Sequence, residues 1–139
     1  MSEQKDRSIL KVDNISVAYD DNHVVHDVSF ALEKGEIGCL LGPSGCGKTT
    51  ILRAVAGFES IKKGSINLCD VIVSDGKFTI PPEKRNIGMV FQDFALFPHL
   101  TIADNIAFGI RHLHKKDKKK RVNQLLKLIN LEALSLIHI

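Results

Sequence analysis

Cysteine is scarce in this sequence and has no partner pattern. Cys39, Cys46 and Cys69 are odd in number and form no CxxC pair, which argues against a disulfide framework and against a zinc site. Long apolar runs are missing too. Nothing approaches the roughly 18 consecutive apolar residues of a bilayer-crossing helix, and the opening MSEQKDRS is polar and contains acids, unlike a secretory leader. A soluble, cytosolic chain with reduced thiols is therefore expected. Internal repeats and low-complexity tracts are also lacking, and a composition of 44% apolar and 25% charged residues excludes collagen-like and wholly disordered classes. A length of 139 residues fits one small domain or part of a larger one.

What is present begins with a charge asymmetry. The formal net charge is +3, yet the run RHLHKKDKKKR at 111–121 alone carries seven positive charges against one negative. A basic run of this kind is usually a solvated helix face, and no aromatic side chain interleaves with it as a platform for stacked bases. His112 and His114 lie in this run without further ligands nearby in sequence, so exposed histidines are expected rather than a metal site.

Hydrophobic spacing predicts strands over Leu10–Tyr19 and Val24–Leu32, joined by a turn at Asp20, Asp21 and Asn22. The compact apolar run Ile37–Leu41 reads as a strand buried on both faces. Apolar residues at Ile51, Leu52, Val55 and Ala56 have helical spacing, and Gly57 is the expected stop. Short β pieces at Ile66–Leu68, Val71–Val73 and Phe78–Ile80, separated by Asp70 and the Asp75–Gly76 turn, suggest an antiparallel arm. After the break at Pro81 and Pro82, Ile87–Phe91 is another apolar run, read as ending in a strand-terminal Gln92. Val122, Leu125, Leu126 and Ile129 give a C-terminal helix its apolar face.

Chemistry concentrates between the expected strand at 37–41 and the expected helix. Gly42-Pro43-Ser44-Gly45-Cys46-Gly47-Lys48-Thr49 is a full match to G-x-x-x-x-G-K-[ST]. Glycines let the backbone curl until successive N–H groups face a phosphate, and the following helix offers its positive end to the same anion. Lys48 would bridge the β- and γ-phosphates, and the Thr49 hydroxyl would ligate Mg²⁺. Cys46 occupies an unconstrained position of the motif, where small-residue packing is the expected role. A phosphate cradle alone does not separate a kinase, a GTPase and a motor ATPase. The D-x-x-G and N-K-x-D strings of a GTPase are lacking, whereas Asp93, after an apolar run, leaves a small kinase open; a basic module binding nucleic acid through 111–121 is a third reading.

Three stretches carry a resemblance: GPSGCGKTT at 42–50, LRAVAGFE at 52–59 and PEKRNIGMVFQDFALFPHLTIADNIAFG at 82–109. Together they resemble the ATP-binding subunits of ABC importers, over nearly all of Ile9 to about Leu134. Residues 38–41 and 91–110 are most similar to subunits serving ferric-iron uptake, with polyamine, sulfate and sugar importers sharing most of the wording. The resemblance implies an α/β fold of the P-loop NTPase class with an N-terminal antiparallel β arm. It implies a nucleotide-binding core over 9–97 and the beginning of a helical subdomain over 98–134.

In that family Tyr19 would stack on adenine, while Gly42, Pro43, Ser44, Gly45, Cys46, Gly47, Lys48, Thr49 and Thr50 would hold the phosphates of ATP. Mg²⁺ would lie between Thr49 and Gln92, and Gln92 would also reach the attacking water and relay the state of the site. Lys48 and Gln92 would thus be the residues acting in hydrolysis. Implied partners are a second ATP-binding subunit closing head to tail, membrane permease subunits and, indirectly, a solute-binding protein, with no nucleic acid. The subunit would be peripheral, on the cytoplasmic side of a bacterial inner membrane, and the segment Gln92–Pro98, with Phe94 and Phe97, is expected to dock there. The family's LSGGQ signature, second Mg²⁺ aspartate, catalytic glutamate and switch histidine do not occur in this sequence. A front portion of an ATPase, neither active nor stably folded alone, is therefore expected. Residues 134–139 coincide with the translation of a transposon end used in sequencing libraries and are expected to be an adapter artefact.

Overall fold

A computed structural model describes residues 8–19, 22–93, 95–131 and 133. The expected turn residues Asp20 and Asp21, Phe94, and the stretch 134–139 lie outside them. Two compact units follow one another along the chain, the first ending at Met89 and the second starting at Val90.

The first unit is built on an antiparallel sheet. Strand β1 (Ser8–Tyr19) pairs with β2 (Asn22–Glu33) on one side and with β3 (Lys63–Leu68) on the other, and β3 pairs with β4 (Val71–Ser74), giving the order β2-β1-β3-β4. A register shift between Val12 and Ile15 brings Val12, Ile15 and Val17 to one inward face, where they are buried with Val25, Ile66 and Val73. Bulges interrupt β1 where Asn14 takes φ 45° and β2 where Asp27 does the same. The Asn14 N–H donates to Ser29 Oγ at 2.8 Å, so the bulge does not orphan its amide. Cys69 and Asp70, both at positive φ, make the two-residue connection of β3 to β4.

Helix α1 (Lys48–Ala56) lies between β2 and β3 in sequence and buries Ile51 and Ala54 on the sheet's core. Gly57 ends it as expected, at φ 92°, with its N–H donating to Ala54 O and that of Phe58 to Arg53 O at 2.9 Å. The Asp75–Gly76 turn also forms: Asp75 Oδ1 accepts from the N–H groups of Lys77 and Phe78.

Three expected strands differ from the structure. Residues 36–43 are irregular, with Ile37 97% and Leu41 87% exposed, although Leu40 packs toward the core and Gly38 lies against Leu32. Among the described residues this run joins no ladder. Without one its backbone polar groups have no ladder partner, and Ile37 and Leu41 stand exposed. The run Ile87–Phe91 is irregular for the same reason, and Gln92 stands in a turn rather than at a strand end. Phe78–Ile80 is reduced to one bridge between Ser74 and Thr79, beside an Ile80 N–H bond to Val73 O.

The second unit contains α2 (Ile102–Phe108) and α3 (Lys115–Leu128). Thr101 caps α2, its Oγ1 accepting from the Asp104 N–H at 3.1 Å. Asn105 then clamps the chain before the helix: its Oδ1 accepts from the Phe97 N–H, and its Nδ2 donates to Phe97 O, Leu100 O and Thr101 O. Val122 and Leu126 bury the inner face of α3, and its lysines point outward, as the solvated-face reading expects. No described helix is long and apolar enough to cross a membrane.

Candidate phosphate-binding site

The loop 42–47 is shaped by glycine. Gly42, Gly45 and Gly47 take φ 155°, 83° and 92°, all on the side that L side chains avoid. Gly47 matters most, because a Cβ there would meet Val25 Cγ2 at 2.9 Å and Val24 O at 3.0 Å. Its lack of a side chain lets the start of α1 seat directly on β2. Tyr19 belongs to the same end of this hairpin, since it pairs with Asn22 in the β1–β2 ladder; the tyrosine is 44% exposed.

Gly47 is also the N-cap of α1, and a glycine cap offers no side-chain acceptor. The first-turn N–H groups of Lys48, Thr49 and Thr50 have no intrahelical carbonyl to bond, and no acid stands in that turn to neutralise the helix's positive end. The loop therefore presents donors and positive charge together. Lys48 Nζ folds back over it, donating to Gly42 O at 2.8 Å and Pro43 O at 2.6 Å, with Cys46 Sγ at 3.5 Å. Thr49 is exposed at the mouth of the helix, whereas Thr50 is buried on its core side. The donor set suits a polyphosphate: an ammonium, free N–H groups, and two glycines whose Cβ atoms would collide with Cys46 Sγ or β2.

Gln92 and Asp93 are exposed turn residues of the second unit, distinct from the unit that holds the loop. His112 and His114 are exposed, and among the described residues no three His, Cys, Asp or Glu side chains cluster as metal ligands.

One buried residue, at the end of α1 away from the loop, was not singled out in the sequence. Arg85 is 5% exposed, and its guanidinium reaches four main-chain carbonyls: Nε donates to Ile80 O at 2.6 Å, one terminal nitrogen to Ala54 O at 2.9 Å and Val55 O at 2.8 Å, and the other to Val73 O at 3.0 Å. Arginine is read as a surface residue unless something marks it otherwise. The 3-10 turn at Pro82–Lys84, which delivers Arg85 inward with its N–H bonded to Pro82 O, is the one local hint.

The sequence profile of the ABC transporter family matches residues 25–138. An Fe(3+) ions import ATP-binding protein of Fusobacterium nucleatum is 43% identical over 125 residues, covering 88% of this chain and 33% of that protein. A spermidine/putrescine import ATP-binding protein of Thermotoga maritima is 45% identical over 127 residues, with the same shares of 88% and 33%. The chain thus spans about a third of the length of the curated relatives it matches. Among solved structures, CbiO1 of Clostridium perfringens, part of an ABC transporter complex, superposes with a TM-score of 0.73 at 27% identity, over 96% of this chain and 55% of that one.

Proposed function

Since this chain belongs to the ABC transporter ATPase family, we propose that it binds ATP through Gly42–Thr50 and supplies the nucleotide-binding step that energises an importer. The observation that carries this reading is the uncapped, acid-free start of α1 beside the Lys48 ammonium. Lys48 exchanges two neutral carbonyl acceptors for phosphate oxygens, and a charge-assisted bond to an anion is the stronger of the two. The first-turn N–H groups of α1 orient the same phosphates, and Tyr19 offers its exposed ring to the base. Thr49 and Gln92 are the proposed Mg²⁺ residues; the ion would neutralise phosphate charge. In hydrolysis Gln92 orients water, working with acidic residues that this sequence does not contain.

Asn105 supports a coupling role for the segment after Gln92, because it fixes the backbone of 97–101. Close by, Leu96, Ile102, Ile106, Ile129 and Leu131 line an apolar cleft of about 340 Å³, a surface suited to a permease subunit. The proposed assembly is a pair of such ATPase subunits with two permease subunits and a solute-binding protein, peripheral on the cytoplasmic side of a bacterial inner membrane. Ferric iron is the proposed solute, from the wording of residues 38–41 and 91–110. A polyamine importer is the second reading, favoured by an identity of 45% against 43%. Solute-dependent growth after deletion of the gene separates the two.

The nucleotide reading is tested with Lys48→Ala in the full chain as its gene encodes it. Titration with a fluorescent ATP analogue and Mg²⁺ should show affinity falling by roughly tenfold to a hundredfold, the scale of losing a hydrogen bond to a charged group. Wild-type affinity in that variant would overturn the site.

A further inference from the structure

Helix α1 is held at both ends, and the two holds differ in kind. At its N-terminal end Gly47 lies so near Val24 and Val25 of β2 that a Cβ there would meet Val25 Cγ2 and Val24 O. At its C-terminal end the Arg85 guanidinium bonds the carbonyls of Ala54, which also accepts from the Gly57 N–H, and Val55, placing a cation at the negative end of the helix dipole. The same guanidinium bonds Val73 O on β4 and Ile80 O. A point charge would not span these acceptors; the planar fork of arginine does. Gly57 leaves the passage open, because a Cβ there would meet Arg85 Nε at 2.7 Å and Ile80 O at 2.9 Å.

Burial pushes the guanidinium pKa below its ordinary value, and among the described residues no carboxylate pairs with it. A buried cation is costly, and one retained without an ion partner must be repaid by its hydrogen bonds. Two of those four bonds go to the helix that carries the phosphate loop and two tie it to Val73 on β4 and to Ile80. A nine-residue helix is a rod of about 13 Å, so fixing its far end fixes the height and rotation at which Lys48 and the first-turn N–H groups meet a ligand.

We infer that Arg85 is a positioning residue for the phosphate site, locking α1 to β4 and to the chain at Ile80 so that the loop at its other end is preorganised for nucleotide. The inference rests on the nucleotide-binding reading of that loop. It assigns Arg85 no contact with ATP; the residue acts through α1.

The test compares Arg85→Gln, Arg85→Lys and Lys48→Ala with wild type in the full chain, at a temperature where circular dichroism shows every variant folded. Affinity for the fluorescent ATP analogue should weaken roughly tenfold in Arg85→Gln and less in Arg85→Lys, because small displacements of a binding constellation are expensive. A merely structural arginine would lower the melting midpoint and leave the affinity of the folded protein unchanged, and that result overturns the inference. If Arg85→Gln does not fold, Gly57→Ala displaces the guanidinium without deleting it; a folded Gly57→Ala protein with weaker binding supports the inference and one with wild-type affinity overturns it. The nucleotide reading fails separately, when wild type and Lys48→Ala bind alike.

Discussion

Two apolar runs of similar wording have opposite fates in the first unit. Val12, Ile15 and Val17 of β1 are buried between two ladders, whereas Ile37 and Leu41, in a run at least as apolar, stand in water. Side-chain character is therefore insufficient to make a strand. What β1 has, and 37–41 lacks among the described residues, is a neighbour on each side to accept its N–H and C=O groups. Burial follows pairing here, and stability should follow burial.

The largest effect is expected where pairing and burial coincide. Ile66→Ala removes a fully buried side chain from the core and should cost about 2–5 kcal/mol in urea unfolding. Next comes Gly47→Ala, which forces an L side chain to φ 92° and against Val25. A loss of about 1–3 kcal/mol, with weaker nucleotide binding, is expected from the same unfolding curves and a ligand titration. Ile37→Ala in this chain should change stability by less than about 0.5 kcal/mol, as for other exposed positions. A cost matching that of Ile66→Ala would break the comparison by showing that 37–41 is packed after all.

The smallest effect concerns the exposed flank of the sheet. Lys63 Nζ bonds Asp27 Oδ1 at 3.0 Å, and that hydrogen bond, followed by the lysine charge, holds the Asp27 carboxyl below its ordinary 3.8. Because the folded-state value is the lower one, the stabilisation is present above about pH 3.8 and is lost as pH falls through the folded value. Lys63→Met should move the Asp27 midpoint upward in a carbon-detected NMR titration. An unmoved midpoint would discard the pair.

These differences explain what was legible in the sequence. The β1–β2 hairpin, α1 with its Gly57 stop, the Asp75–Gly76 turn and the amphipathic α3 are determined by neighbours in sequence and form close to where spacing put them, except that Asn22 joins β2 instead of the turn and Ile129 falls just past the end of α3. The loop 42–49 was readable for the same reason, since its glycines and Lys48 act within one turn of backbone. Strands at 37–41 and 87–91 were misread because their partners are a property of the whole sheet. Arg85 and Asn105 escaped notice because their acceptors are carbonyls, which every residue has and no pattern marks.

The order β2-β1-β3-β4 makes everything from Lys34 to Lys62 one excursion whose two ends return to opposite edges of β1. The phosphate loop and α1 thus hang on the sheet through side-chain packing and Arg85 rather than through a ladder, so local opening there is expected to cost less than opening the β1–β2 ladder. Amide hydrogens of α1 should exchange with solvent at a free-energy cost below that of Val12 and Val17, set by how hard it is to release the Arg85 guanidinium from Ala54 O and Val55 O.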